Sequence, residues 1–180
     1  MFTSTSTSTT TTTTSTTTTT STTTTTPVLS CIDSTWTLFD RGTYSWCMKI
    51  YIGATTLAQA TPNCQTLNTA AVPSGFQNVA EMTGICATTT LDIRPWVGAT
   101  RTYACLSQTL TATCTALTSF EWTDGHTTGT DGFVWTPGNP DNNGLTQGSV
   151  VITTTTAVLD DEFNDLTEAG VVCGMEADYY

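Results

Sequence analysis

Trp135-Thr136-Pro137-Gly138-Asn139-Pro140-Asp141-Asn142-Asn143-Gly144, with Phe163-Asn164-Asp165 further along, is the stretch on which the reading of this chain turns. Pro-Gly, Asn-Pro and Asn-Gly pairs break any helical or strand period, so the first segment reads as a long irregular loop. It opens at Trp122-Thr123-Asp124-Gly125 and carries Phe133-Val134-Trp135 on the way. Carboxylate and amide oxygens crowd both segments, and these are the donors a hard cation takes. The expectation is that two oxygen-bearing clusters meet to hold one cation and, through it, a polar ligand, with the rest of the chain as their frame.

Of the 180 residues, positions 1–26 are almost wholly Thr and Ser. That tract has almost nothing to bury and is expected to be a disordered, mucin-like stalk carrying O-linked sugars, with an unmodified linker as the alternative. Positions 27–180 suit one domain, and five Trp supply a core. Four basic residues face fifteen acidic ones, which argues against nucleic acid as a partner because phosphate binding needs clustered Lys and Arg. Seven widely spaced cysteines point to an oxidised, extracellular or secreted product rather than to zinc or redox motifs. No segment is apolar enough to insert in a membrane. Met1-Phe2 leads straight into the Thr/Ser tract without a signal peptide, so a start further upstream and an unusual export route both stay open.

Going along the chain, Cys31 to Cys47 reads as a hairpin, with its turn at Arg41-Gly42, and Cys47 to Ile52 reads as a strand ended by Gly53. Leu57, Ala60, Cys64 and Leu67 then fall at helical spacing, with Pro62 expected to kink that helix or delay its start. Ser74-Gly75-Phe76-Gln77 matches a capping box for a second helix buried through Phe76, Val79 and Ala80. After Cys86 the chain reads as strands at 96–99, 120–122, 150–159 and 171–175. The order is strand, two helices, then strands around a long insertion, an α+β fold.

These features, in this order, resemble a C-type-lectin-like domain of the long form, as found among secreted invertebrate lectins. Cys31, Trp36, Phe39 and Cys47 are similar to its stapled hairpin, Cys64 to its first-helix cysteine, and Trp96-Val97-Gly98 to its core strand. Trp122-Thr123-Asp124-Gly125, Trp135, Asn139-Pro140-Asp141-Asn142 and Phe163-Asn164-Asp165 are similar to its long-loop and late-strand motifs, and Val171-Val172-Cys173 to its closing strand. The resemblance implies disulfides Cys31–Cys47 and Cys64–Cys173, the second worth about 4 to 5 kcal/mol on a chain-entropy model. Cys105 and Cys114 are near enough to bridge a short hairpin outside the family core. A further family disulfide is absent, its positions falling at about Ser149 and Glu168. Cys86 is left over, to be a buried thiol, an alternative partner for Cys105 or Cys114, or an intermolecular link.

The resemblance also implies a cis Asn139-Pro140 bond and a calcium site built from Asn139, Asp141, Gln147, Asn164 and Asp165, the same residues that would meet a sugar. Only Asp141 and Asp165 bring formal charge, which weakens such a site, since affinity rises with ligand charge and rigidity. Asp160-Asp161-Glu162 reads as a charge run that adds negative field or is simply solvated. Asn-Pro-Asp matches neither the mannose-type nor the galactose-type motif, so no sugar is named.

Trp122 and Trp135 read as anchors of the loop core, and His126 as a solvated turn residue. There is no nucleophile elbow, zinc-binding His cluster or phosphate loop, so the chain is read as a non-enzyme. The expectation is a secreted recognition module for a glycan or glycoprotein, of the kind used in innate immunity, with possible calcium dependence. A metal-independent protein-interaction domain and a structural mucin-like protein are the alternatives. Nothing in the sequence sets an oligomeric state.

Overall fold

Residues 28–179 are described by the structure, a computed structural model. The Thr/Ser tract 1–26, and with it the stalk expectation, lies outside the described residues. In chain order the elements are β1 Leu29–Ser30, β2 Thr37–Asp40, β3 Ser45–Thr56, α1 Leu57–Leu67, β4 Val72–Pro73 and α2 Val79–Cys86. There follow β5 Trp96–Arg101, β6 Phe120–Trp122, β7 Gln147–Thr153, β8 Val158–Phe163, β9 Thr167–Glu176 and β10 Asp178–Tyr179. The main sheet runs β2-β3-β9-β5-β7-β8, with β4 against β9 and β6 against β5. β1 pairs with β10, so the two ends of the described chain meet. The architecture is α+β.

Hydrophobic residues divide into two clusters. One holds Trp46, Phe76, Met82, Ile85, Phe120, Val150 and Leu159 among its members, and the other Trp36, Ala60, Cys64, Trp96, Val171 and Cys173. The two most deeply buried indoles each find an acceptor, as a desolvated N–H requires. Trp46 Nε1 donates to Ser74 Oγ at 2.8 Å, and Trp96 Nε1 to Thr55 O at 2.8 Å. Gly98 allows the chain at Pro73 to cross β5: a Cβ there would lie 2.2 Å from Pro73 O.

Three disulfides staple this frame: Cys31–Cys47, Cys64–Cys173 and Cys105–Cys114. The first two are the pairs the resemblance implies, and the third joins the two cysteines near enough to bridge a short hairpin. The second ties α1 to β9 across a sequence separation of 109. Cys86 is a buried free thiol, and burial pushes its pKa up to about 11.

Several local expectations change. Strand β3 continues through Gly53 to Thr56, accommodating it with a register shift between Ile52 and Thr55. α1 starts at Leu57 and runs through Pro62 with no delay. Ala58, whose carbonyl loses its partner to the missing Pro62 N–H, is exposed, where water can satisfy it. The start of α1 is fixed by Gln59 Oε1, which accepts from Thr56 N at 3.1 Å and Thr56 Oγ1 at 3.0 Å. Ser74 caps nothing, because its hydroxyl is buried against Trp46. The cap of α2 is Asn78, whose side chain accepts from Glu81 N at 3.2 Å. Consequently Val79 and Ala80 are exposed, and Glu81, Met82, Ile85 and Cys86 face inward. The single strand expected over 150–159 is instead the β7–β8 hairpin, whose turn is closed by Ala157 N donating to Thr153 O at 2.8 Å.

Candidate functional site

The long loop between β6 and β7 is anchored by aromatic stacking. The rings of Trp122 and Phe133 lie 3.9 Å apart and parallel, and Phe133 stacks in turn on Trp135 at 5.9 Å. Trp122 Nε1 donates to Gly129 O and Trp135 Nε1 to Ala116 O, which leaves both indoles serving the loop's interior. Asp124 is buried and accepts from Gly75 N, His126 N, Thr127 N and Thr127 Oγ1, fixing the loop's first turn. His126 is exposed on one side and lies over Trp46 on the other, with ring centroids 4.5 Å apart.

The loop returns along the outer edge of β8. Leu159 N donates to Val134 O and Thr136 N to Leu159 O, both at 2.8 Å. This pairing carries Asn139-Pro140-Asp141-Asn142 to the next residues of β8, and the Asn139-Pro140 bond is cis. Asn139 Nδ2 donates to Asp160 Oδ1. Asp141 N donates to Asp161 Oδ1 at 3.0 Å, and Asn142 N to Asp161 Oδ2 at 2.8 Å. On the far side, Asn142 Nδ2 donates to Leu106 O and Gln108 O, tying the loop to the Cys105–Cys114 segment.

Of the five candidate ligands, therefore, Asn139, Asp141 and Gln147 meet, and Asn164 and Asp165 do not join them. β8 ends at Phe163, paired with Gln147, so the residues opposite the loop are Asp160 and Asp161. Asn164 lies beyond the strand, where its Oδ1 accepts from Ser149 Oγ at 2.8 Å, and Asp165 is exposed. Ser149 is paired with Glu162 on β8, and Glu168, the other position of the absent family disulfide, pairs with Thr55 on β3, so the two do not face each other. Gln147 is buried and fully engaged: its Oε1 accepts from Asn143 N at 2.6 Å and its Nε2 donates to Asp161 O at 2.7 Å.

Two arginines complete the site. Arg101, at the end of β5, stands over the Phe120 ring at 4.4 Å; its Nε donates to Gln147 O at 2.7 Å and its Nη2 to Asp161 Oδ2 at 2.5 Å. Both side chains of this pair are buried, 1% and 0% exposed. Burial pushes the Asp161 carboxyl up, and the N–H groups of Asn142 and Asp141 together with Arg101 pull it back. Arg94, nearer the surface, donates through Nη2 to Asp160 Oδ2 at 3.1 Å and Glu162 Oε2 at 2.6 Å. Burial also raises Asp160 and Glu168, each with neighbouring acids adding to the shift and Arg94 opposing it.

Sequence reading passed over Arg94 and Arg101 and treated Asp160 and Asp161 as background charge. A usable signal was present. Arg101 ends a strand of buried apolar residues, and a cation in such a setting needs a carboxylate partner.

Calcium needs six to eight oxygens turned toward one point. The residues present do not fit it. Both Asp161 oxygens accept from N–H groups, the Gln147 oxygen faces Asn143 N, and a guanidinium already adjoins Asp161. Among the described residues no three His, Cys, Asp or Glu side chains converge as metal ligands.

This frame of stapled hairpin, two helices, three disulfides and a long loop folded back on β8 is the C-type-lectin-like fold. Among solved structures, the chain is similar to a calcium-independent type II antifreeze protein, with a TM-score of 0.60 at 22% identity over 84% of this chain and 98% of that one. It is also similar to the cow CD23 C-type carbohydrate-recognition domain, crystallised in the presence of a GlcNAc2Man3 oligosaccharide, with a TM-score of 0.61 at 19% identity over 84% and 99%. The C-type lectin CEL-I from Cucumaria echinata superposes with a TM-score of 0.58 at 17% identity over 82% and 98%. No family model and no curated protein matches the chain. At these identities the likeness is one of fold.

Proposed function

We propose that the chain is an extracellular recognition module that binds a carbohydrate or glycoprotein, of microbial or matrix origin, on the face formed by the long-loop tip and β8. The observation that carries this reading is the polar surface at that tip. Asp141 and Asn143 are exposed, Asn139 and Asp160 half-exposed, and Arg94 stands beside them, with the backbone of Asp141, Asn142 and Asn143 held from beneath by Asp161 and Gln147. Amides, carboxylates and a guanidinium on a pre-formed backbone suit hydroxyl-rich ligands, because directional hydrogen bonds are offered without first ordering a loop. The neighbouring fold that was crystallised with an oligosaccharide supports the carbohydrate reading, and three disulfides support an oxidising location. The tract 1–26 fits a glycosylated stalk presenting the domain 27–180.

A glycan and glycoprotein array, probed with and without calcium, tests this. A ligand should appear whose binding falls about tenfold or more in Asp141→Ala and in Asn143→Ala, as loss of one or two well-placed hydrogen bonds predicts. No ligand on the array, or one indifferent to both substitutions, would sink the assignment. Binding that appears only with calcium would restore a metal-dependent site.

A further inference from the structure

We infer that Arg101 is the loop's resident cation, occupying by covalent attachment the role that the fold's resemblance assigns to a calcium ion. The resemblance gathers Asn139, Asp141, Gln147, Asn164 and Asp165 onto one divalent ion, whereas here the loop meets Asp160 and Asp161 of β8. Here the positive charge is the guanidinium. It donates to Gln147 O at 2.7 Å and to Asp161 Oδ2 at 2.5 Å, and Asp161 in turn receives the backbone N–H groups of Asp141 and Asn142. Gln147 closes the circle, with its N–H donating to Asn142 Oδ1 at 3.1 Å and its side chain joining Asn143 N to Asp161 O.

The consequence is a loop shaped without metal. A guanidinium offers fixed, planar donors and remains charged at any physiological pH, so the arrangement does not depend on ion concentration. Phe120 beneath the guanidinium and its burial on β5 hold it in place. This inference concerns what holds the loop and stands whatever ligand the exposed tip binds.

The test compares melting temperatures of the whole chain in EDTA and in millimolar calcium, with amide hydrogen exchange at Asp141 and Asn142. The parent protein should melt at the same temperature in both, because an ion that does not bind the native state cannot stabilise it. In Arg101→Met, exchange at both amides should accelerate by about tenfold or more through local opening. Calcium stabilisation of the parent protein would overturn the inference, as would unchanged amide exchange in Arg101→Met. Should Arg101→Met not fold, Arg101→Lys, which retains the charge but not the planar fork that spans Gln147 O and Asp161, carries the same exchange measurement. The parent comparison stands independently of either variant.

Discussion

Ser149 Oγ donates a 2.8 Å hydrogen bond to Asn164 Oδ1, joining β7 to the turn that follows β8. Glu168, the expected counterpart of Ser149 in the absent family disulfide, pairs with Thr55 on β3 instead. The Ser149–Asn164 contact moves Asn164 from the ligand set to the scaffold.

Ser149→Ala removes that contact and should cost about 1 kcal/mol in chemical denaturation, the usual net worth of one hydrogen bond; unchanged stability would count against its holding the end of β8.

Arg41 and Glu81 form a buried bidentate pair, with Nε to Oε1 and Nη2 to Oε2 both at 2.7 Å, linking the β2–β3 turn to α2. Arg41→Met leaves Glu81 buried without its counter-charge and should cost about 3–5 kcal/mol in chemical denaturation. Replacing both residues, Arg41→Met with Glu81→Met, should recover most of that loss. Equal loss in single and double variants would assign the effect to packing.

Stability should depend on pH through the acids around Arg94. Asp160 faces Arg94, Asp161, Glu162 and Asp141, and Glu168 faces Arg94, Glu162 and Asp160. Burial raises both above their ordinary values of 3.8 and 4.5, so the folded state holds their protons more tightly than the unfolded chain does. Their contribution is full below those values and is lost as pH rises through the raised ones. The melting temperature should accordingly fall as pH rises from the ordinary values of 3.8 and 4.5 through the raised ones, and Glu168→Gln should reduce the fall. Thermal melts across that range provide the check.

Cys86 should be silent in the native protein. Burial and a thiol pKa of about 11 leave it neither accessible nor ionised at neutral pH. Ellman's reagent should find less than about one-tenth of a thiol per native chain and close to one after denaturation without reductant. Prompt native labelling would contradict the burial.

The scaffold was legible because its signals are local or covalent. The family resemblance implied Cys31–Cys47 and Cys64–Cys173, closeness in sequence suggested Cys105–Cys114, and Trp122 and Trp135 read as loop anchors. Helix starts were less legible. Ser74 has the composition of a cap, but the indole of Trp46, distant in sequence, takes its hydroxyl, and Asn78 caps α2 instead.

Sequence alone settled that this chain is acidic, rich in cysteine and built around a long polar loop that resembles a C-type-lectin-like domain. Tertiary structure decided which acids face that loop. An Asn-Asp pair and an Asp-Asp pair four residues apart look alike along one strand. Only the pairing of β8 with β7, Val151 opposite Asp160 and Val150 opposite Asp161, puts the second pair beside Asn139-Pro140-Asp141. The nature of the cation was likewise hidden, because Arg101 and Asp161 are 60 positions apart and meet only when β5, β7 and β8 align. Strand register is a long-range property: each step along a strand turns a side chain to the opposite face, and the partner strand sets the count.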